Sequence, residues 1–187
     1  MNPDRQRLTE GAVALVLFGL TIPAANWLIG NAGTVCVPNG PCLVPVWPGV
    51  MAPSGVLMVG LALVLRDIVQ RRLGTLAGLG AIGIGTLISA TLAPAAIVTA
   101  SAAAFLLSEL ADFAIYTPLQ RKRFLTAVFA SGVVGLVVDS LVFLQLAFGN
   151  LDFLAGQIIG KAWMVLFALP LMLLLRRRDE RLGLIAA

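Results

Sequence analysis

Four ionisable side chains stand deep within apolar runs of this chain: Glu109 and Asp112 in one run, Asp139 in the next and Lys161 in a third. An unpaired charge at mid-membrane depth costs from about 2.5 to more than 10 kcal/mol, so such groups must pair, become neutral or face a cavity. Three carboxylates and one amine are hydrogen-bonding acceptors and a donor, suited to gripping a ligand. The chain has no histidine and only two cysteines. That count excludes a histidine general base, a histidine-ligated metal and a four-cysteine zinc site. With neither a Gly-x-Gly-Asp nor a Ser-x-x-Lys pattern in the spans, no enzyme is expected, and no cofactor.

The elements that must position these groups follow from composition. Of 187 residues, 59% are hydrophobic and 12% charged, with mean hydropathy +0.99, far from the balance of a soluble domain. A span takes about 20 apolar residues, so the length predicts one transmembrane domain over 1–187, an all-α, compact bundle of six helices. The expected spans are 11–30, 53–72, 75–93, 94–117, 124–148 and 152–175, with a turn at Pro94 and a short basic tail at 176–187. Residues 31–52 are rich in proline and glycine and are expected to form one long loop on the aqueous side. Within it, Cys36-Val-Pro-Asn-Gly-Pro-Cys42 holds a tight turn that can bring two sulfurs together, as a disulfide or as two free thiols.

Twelve of the 13 Lys and Arg residues fall in the segments before helix 1, at the end of helix 2, between helices 4 and 5 and after helix 6. Arg66, Arg71 and Arg72 are counted here as the end of helix 2. The positive-inside rule then places both termini in the cytoplasm of a multi-pass inner-membrane protein. The net charge of +4 reports topology rather than a nucleic-acid partner. Small residues in helix 3, with Ala77, Ala81 and Gly85 at four-residue spacing, predict tight packing within the protomer, with a homodimer face as the second reading.

At about 1.5 Å per residue, Asp139 and Lys161 lie about 22 and 21 Å from the ends of their helices and can meet, whereas Glu109 and Asp112 lie about 12 and 8 Å in. Helical spacing sets Ser101, Phe105, Ser108, Glu109, Asp112 and Tyr116 on one stripe of helix 4, Ser131, Gly135 and Asp139 on helix 5, and Gln157 and Lys161 on helix 6. Helix 1 adds Asn26 and Trp27 beyond Pro23. Glu109 has no cation three or four residues away, so it is expected to be protonated or to await a donor-bearing ligand. Together these residues read as a cavity for a small, flat, polar heterocycle. A structural ion pair between Asp139 and Lys161 is the plainer reading of those two.

Four strings carry a resemblance. They are Pro53-Ser-Gly-Val ending in Arg66-Asp67-Ile-Val-Gln-Arg-Arg-Leu-Gly74, then Ser108-Glu109-Leu-Ala-Asp112-Phe-Ala-Ile-Tyr116, then Ala130-Ser131-Gly-Val-Val-Gly135-Leu-Val-Val-Asp139-Ser140-Leu-Val-Phe143, and Gly160-Lys161 to Pro170. Over about residues 20–171 the chain resembles the VUT family, the queuosine precursor transporters. The family pattern often has an acidic residue where Arg71 stands. The resemblance implies import of 7-deazaguanines such as preQ0 and preQ1 for tRNA modification.

A guanine-like edge offers two adjacent N–H donors for a carboxylate and a carbonyl that needs a donor. Glu109 or Asp139 can serve the first, Lys161, Asn26 or Gln157 the second, and Trp27, Trp163 or Phe105 can stack the ring, with Asp112 counted in the same expected substrate-binding set. The alternative is a substrate-binding membrane subunit driven by a separate ATP-consuming engine.

Overall fold

The computed structural model describes residues 3–38, 40–92 and 98–181. Its elements are α1 (Pro3–Asn31), β1 (Val35–Cys36), β2 (Cys42–Trp47), β3 (Val50–Pro53), α2 (Val56–Leu73), α3 (Thr75–Leu92), α4 (Val98–Leu119), α5 (Phe124–Phe148) and α6 (Leu154–Arg181). The Pro94 turn lies outside the described residues, as does the tail beyond 181. Five helices, all but α2, are long and apolar enough to cross a membrane.

α2 falls short because 18 residues hold Arg66, Asp67, Arg71 and Arg72. It needs no lipid-facing surface of its own, because twelve of its residues are buried and it touches each of the other five helices. The expected sixth span is thus an inner helix sheltered by its neighbours. Its Gly60 permits this: a Cβ there would come within 3.0 Å of the Lys161 backbone and 2.9 Å of the Met164 Cβ, so any side chain would wedge α2 from α6. Along α3, Gly78, Ala81 and Gly85 are buried. At Gly85 an added Cβ would strike Phe105 at 2.6 Å. Small residues on this face therefore serve packing within the protomer.

The expected loop over 31–52 is instead a three-stranded antiparallel sheet in the order β1-β2-β3, which corrects the all-α expectation. Pro45 in the middle strand hid it, since proline supplies no ladder donor. Here β1 reaches only Leu43 and Cys42, so Pro45 lies beyond it, beside an irregularity in the β2–β3 register. Gly49, at φ +75, makes the turn into β3. Cys36 and Cys42 are direct cross-strand partners and form a disulfide. The sheet is fastened to α6 by Trp163, whose Nε1 donates to Val46 O at 3.0 Å and whose ring stacks on Trp47 with centroids 6.1 Å apart. It is fastened to α1 through Ser54 Oγ, which donates to Leu28 O at 2.7 Å.

At the opposite end the helix runs on where a basic tail was expected. α6 continues to Arg181 because Asp179 is 2% exposed and accepts from Arg71 and Arg72 at 2.9 Å, while Arg178 reaches Glu10 at 2.6 Å. Likewise α1 begins well before residue 11, and its Glu10 also meets Arg72 at 2.9 Å. These bridges lash α1, α2 and α6 together at the arginine-rich end.

The cross-link closes a short loop and contributes on the order of 2–3 kcal/mol by chain entropy. In unreduced, unfolded protein a thiol-alkylating reagent should label neither cysteine, and after reduction it should label both. Labelling before reduction would contradict the cross-link.

Candidate functional site

Under the sheet, the first halves of α2, α4 and α6 and the second halves of α1 and α5 surround a cavity of about 80 Å³, room for several waters or part of a small ring. Its polar lining comes from Thr21 and Asn26 of α1, Ser89 of α3, Ser101, Ser108 and Glu109 of α4, Asp139 of α5 and Gln157 of α6. Phe105 and Phe143 supply aromatic faces. Four of the expected site residues, Asn26, Glu109, Asp139 and Gln157, are therefore brought to one cavity from four helices. The inward stripe of α4 is as the spacing predicts: Phe105, Ser108, Glu109, Asp112 and Tyr116 are all buried.

The remaining four stand elsewhere. Trp27 is 61% exposed on the outside of α1, since the helical turn that aims Asn26 inward aims its neighbour out. Trp163 is spent on the sheet rather than on the cavity. Lys161 is fully buried behind the lining, where Nζ donates to Asp139 Oδ2 at 2.6 Å and to Ser140 Oγ at 2.8 Å. This is the pair that helical depth predicts. Asp112 faces α2 and not the cavity.

What Asp112 faces is Arg66. Counted by charge as a marker of the helix end, Arg66 is in fact 0% exposed and belongs to the core. Its Nε donates to Glu109 Oε2 at 2.8 Å, Nη1 lies 2.8 Å from Asp67 Oδ1 and donates to Gln70 Oε1 at 3.1 Å, and Nη2 donates to Asp112 Oδ1. Its guanidinium also lies 5.9 Å from the Tyr116 ring centre, within cation–π range. Glu109 thus has the cation that its own helix does not supply, and the expectation of an unpartnered carboxylate fails because the partner comes from α2. A planar fork of five donors can bind three acceptors at once, which an ammonium cannot do with fixed geometry.

A sequence signal for this cluster existed. Arg66, Asp67 and Gln70 share a helical face, bracketed by Ile68 on one side and by Leu65 and Val69 on the other. Gly135 of α5 lets the cluster fit: a Cβ there would stand 3.1 Å from the Asp112 Cβ and 3.0 Å from Leu63.

Removing one partner of a buried ion pair leaves an uncompensated charge, at a cost of about 3–5 kcal/mol, while removing both can be nearly neutral. Lys161→Met should therefore lower the yield of folded protein in the membrane, and Asp139→Asn added to it should restore much of that yield. Silence of the single and double variants alike would show that the pair holds nothing. By the same reasoning Arg66→Met should abolish folded protein and Arg66→Lys should rescue little of it, as read by fluorescence-detected size exclusion.

Neither the curated proteins nor the solved structures hold a match to the chain. A family model described as "Putative vitamin uptake transporter" matches residues 89–175, just under half of the chain. The matched segment runs from the end of α3 through α4 and α5 into α6, and so includes Glu109, Asp112, Asp139, Gln157 and Lys161. A multi-pass bundle of mostly apolar helices around a cavity whose largely apolar wall carries a few polar groups agrees with it, and the match supports a VUT-family transporter.

Proposed function

We propose that the protein imports queuosine precursors, 7-deazaguanines such as preQ0 and preQ1, across the inner membrane, with both termini cytoplasmic. The observation that carries the reading is the cavity that joins Asn26, Glu109, Asp139 and Gln157 beside Phe105 and Phe143. Arg66 takes Glu109 Oε2, so the other carboxylate oxygen is the one to accept from a ring N–H or an exocyclic amine. The amides of Asn26 and Gln157 can donate to the neighbouring carbonyl while the phenyl faces enclose the flat ring. A purely apolar solute would leave the cavity-facing amides of Asn26 and Gln157 unpaired, and an inorganic cation would find no ring of carboxylates.

Cells unable to make the precursors and expressing only this protein should take up labelled preQ0 or preQ1, and cells without it should not. Uptake that appears only when a partner ATPase is co-expressed would move the chain to the class of substrate-binding subunits. Glu109→Gln keeps size but turns a cavity-facing acceptor into a donor, a mismatch of about 1–3 kcal/mol. Transport at limiting substrate should fall about tenfold or more at near-normal protein level. Equal uptake at equal expression would remove Glu109 from the binding site and make Asp139 the carboxylate to test.

A further inference from the structure

The Arg66 cluster has more negative groups than one guanidinium can balance. Asp67, Glu109 and Asp112 are each no more than 2% exposed, and Arg66 is the cation that pairs with all three. The nearest other charges do not cancel the excess. Asp139 on α5 is already paired with Lys161 of α6. Arg71 of α2 is paired with Asp179 and lies over the Phe124 ring at 4.1 Å. A group with two net negative charges at this depth is too costly to persist.

Geometry shows where the charge is relieved. Asp67 on α2 and Asp112 on α4 converge on one guanidinium, and the buried Asp67 Oδ1, 2.8 Å from Arg66 Nη1, has no well-formed hydrogen bond among the described residues. Two ionised carboxylates are both acceptors and repel, and a proton on one of them turns the pair into a donor and an acceptor. Two further buried polar atoms of α4 are also left without a well-formed hydrogen bond. Asp112 Oδ2 accepts no well-formed hydrogen bond, although the Ser131 hydroxyl of α5 is close, and the fully buried Tyr116 hydroxyl of α4 has no partner among the described residues. Gln70 of α2 is taken up by Arg66 and by Thr117 Oγ1, to which it donates at 3.0 Å.

We propose that Asp67 and Asp112 form a proton-binding site, one proton shared between α2 and α4, coupled through Arg66 to Glu109 and hence to the ligand cavity. When a ligand's N–H groups engage Glu109, the Arg66 fork is drawn less to Glu109 and more to Asp112, which favours the ionised form of the pair. The proton then leaves to water at one face of the membrane, and the pair takes up another at the opposite face after the ligand departs. Transport driven by a proton gradient is the consequence. The coupling to transport rests on the precursor reading, whereas the proton site stands on the cluster alone.

Two measurements separate these. Infrared spectroscopy of the unmodified protein in lipid at neutral pH should show the C=O stretch of a buried carboxylic acid, shifted by exchange into D2O. Asp67→Asn and Asp112→Asn should each remove it, and each asparagine supplies an amide donor to the remaining carboxylate, so the fold is kept. Absence of the band in unmodified protein overturns the site. So does a band that survives in both variants and disappears in Glu109→Gln.

In proteoliposomes, a gradient of one pH unit, acidic inside, should give up to about tenfold accumulation of labelled preQ0 when one proton leaves for each substrate that enters. In Asp67→Asn the ratio of uptake with the gradient to uptake without it should fall to about one. Tracer exchange that ignores the pH gradient but follows a sodium gradient overturns proton coupling and leaves the precursor reading intact. No exchange of either precursor removes that reading, and the infrared band then decides the proton site by itself.

Discussion

The fork of Arg66 is the constraint around which the bundle is organised. A guanidinium at this depth is tolerated only where every donor finds an acceptor in fixed geometry, and the acceptors here come from its own helix, through Asp67 and Gln70, and from α4, through Glu109 and Asp112. That requirement draws α2 into the interior, because a helix with four charges cannot face lipid. It also sets α4 in register against α2, with Gln70 and Thr117 adding a second tie one turn further on. Packing follows the polar layer. Gly60 lets α6 come close to α2, and Gly135 lets α5 come close to both α2 and α4.

Much of this was legible in the residues, and the failures have physical causes. Helix 5 lies over Phe124–Phe148 as predicted, because its apolar run is bounded by a basic cluster and by Gly149 at φ +66. The Asp139–Lys161 contact followed from depth alone, since rise per residue converts directly into height. Arg66 was misplaced because the positive-inside count treats every cation near a helix end alike and cannot see a carboxylate partner on another helix. The strands were missed because Pro45 interrupts the alternation and β1 has only two residues. Trp27 and Trp163 stand at a suitable height for a ligand, but height does not determine which way a ring turns. Asn26 and Trp27 are adjacent on a helix, so only one of them can face inward.

The two ends of the bundle are closed in different ways. At the sheet end the closure is largely covalent and apolar: a disulfide-pinned hairpin, a stack of Trp47 on Trp163, and backbone ties to α1 and α6. At the arginine-rich end it is ionic and graded. Arg178 and Glu10 are partly exposed, at 38% and 24%, and such a pair contributes little in water. Arg71 and Arg72 on Asp179 are nearly buried and cost more to part.

Between the cavity and the arginine-rich end stands the Arg66 cluster itself, directly beyond Glu109. A ligand that leaves the cavity toward that end must part α2 from α4 at this layer, since Glu109 is at once cavity wall and cluster member. Parting them exposes Arg66, Asp67 and Asp112 together, and water then offers each of them the solvation that the interior withholds. The cost of the movement therefore depends on how many charges the cluster carries when it opens. A fully ionised cluster is driven toward water, whereas one holding a proton is content to stay closed. Opening and charge state are for this reason one equilibrium, and Glu109, at once cavity wall and cluster member, is the residue that links them to the cavity.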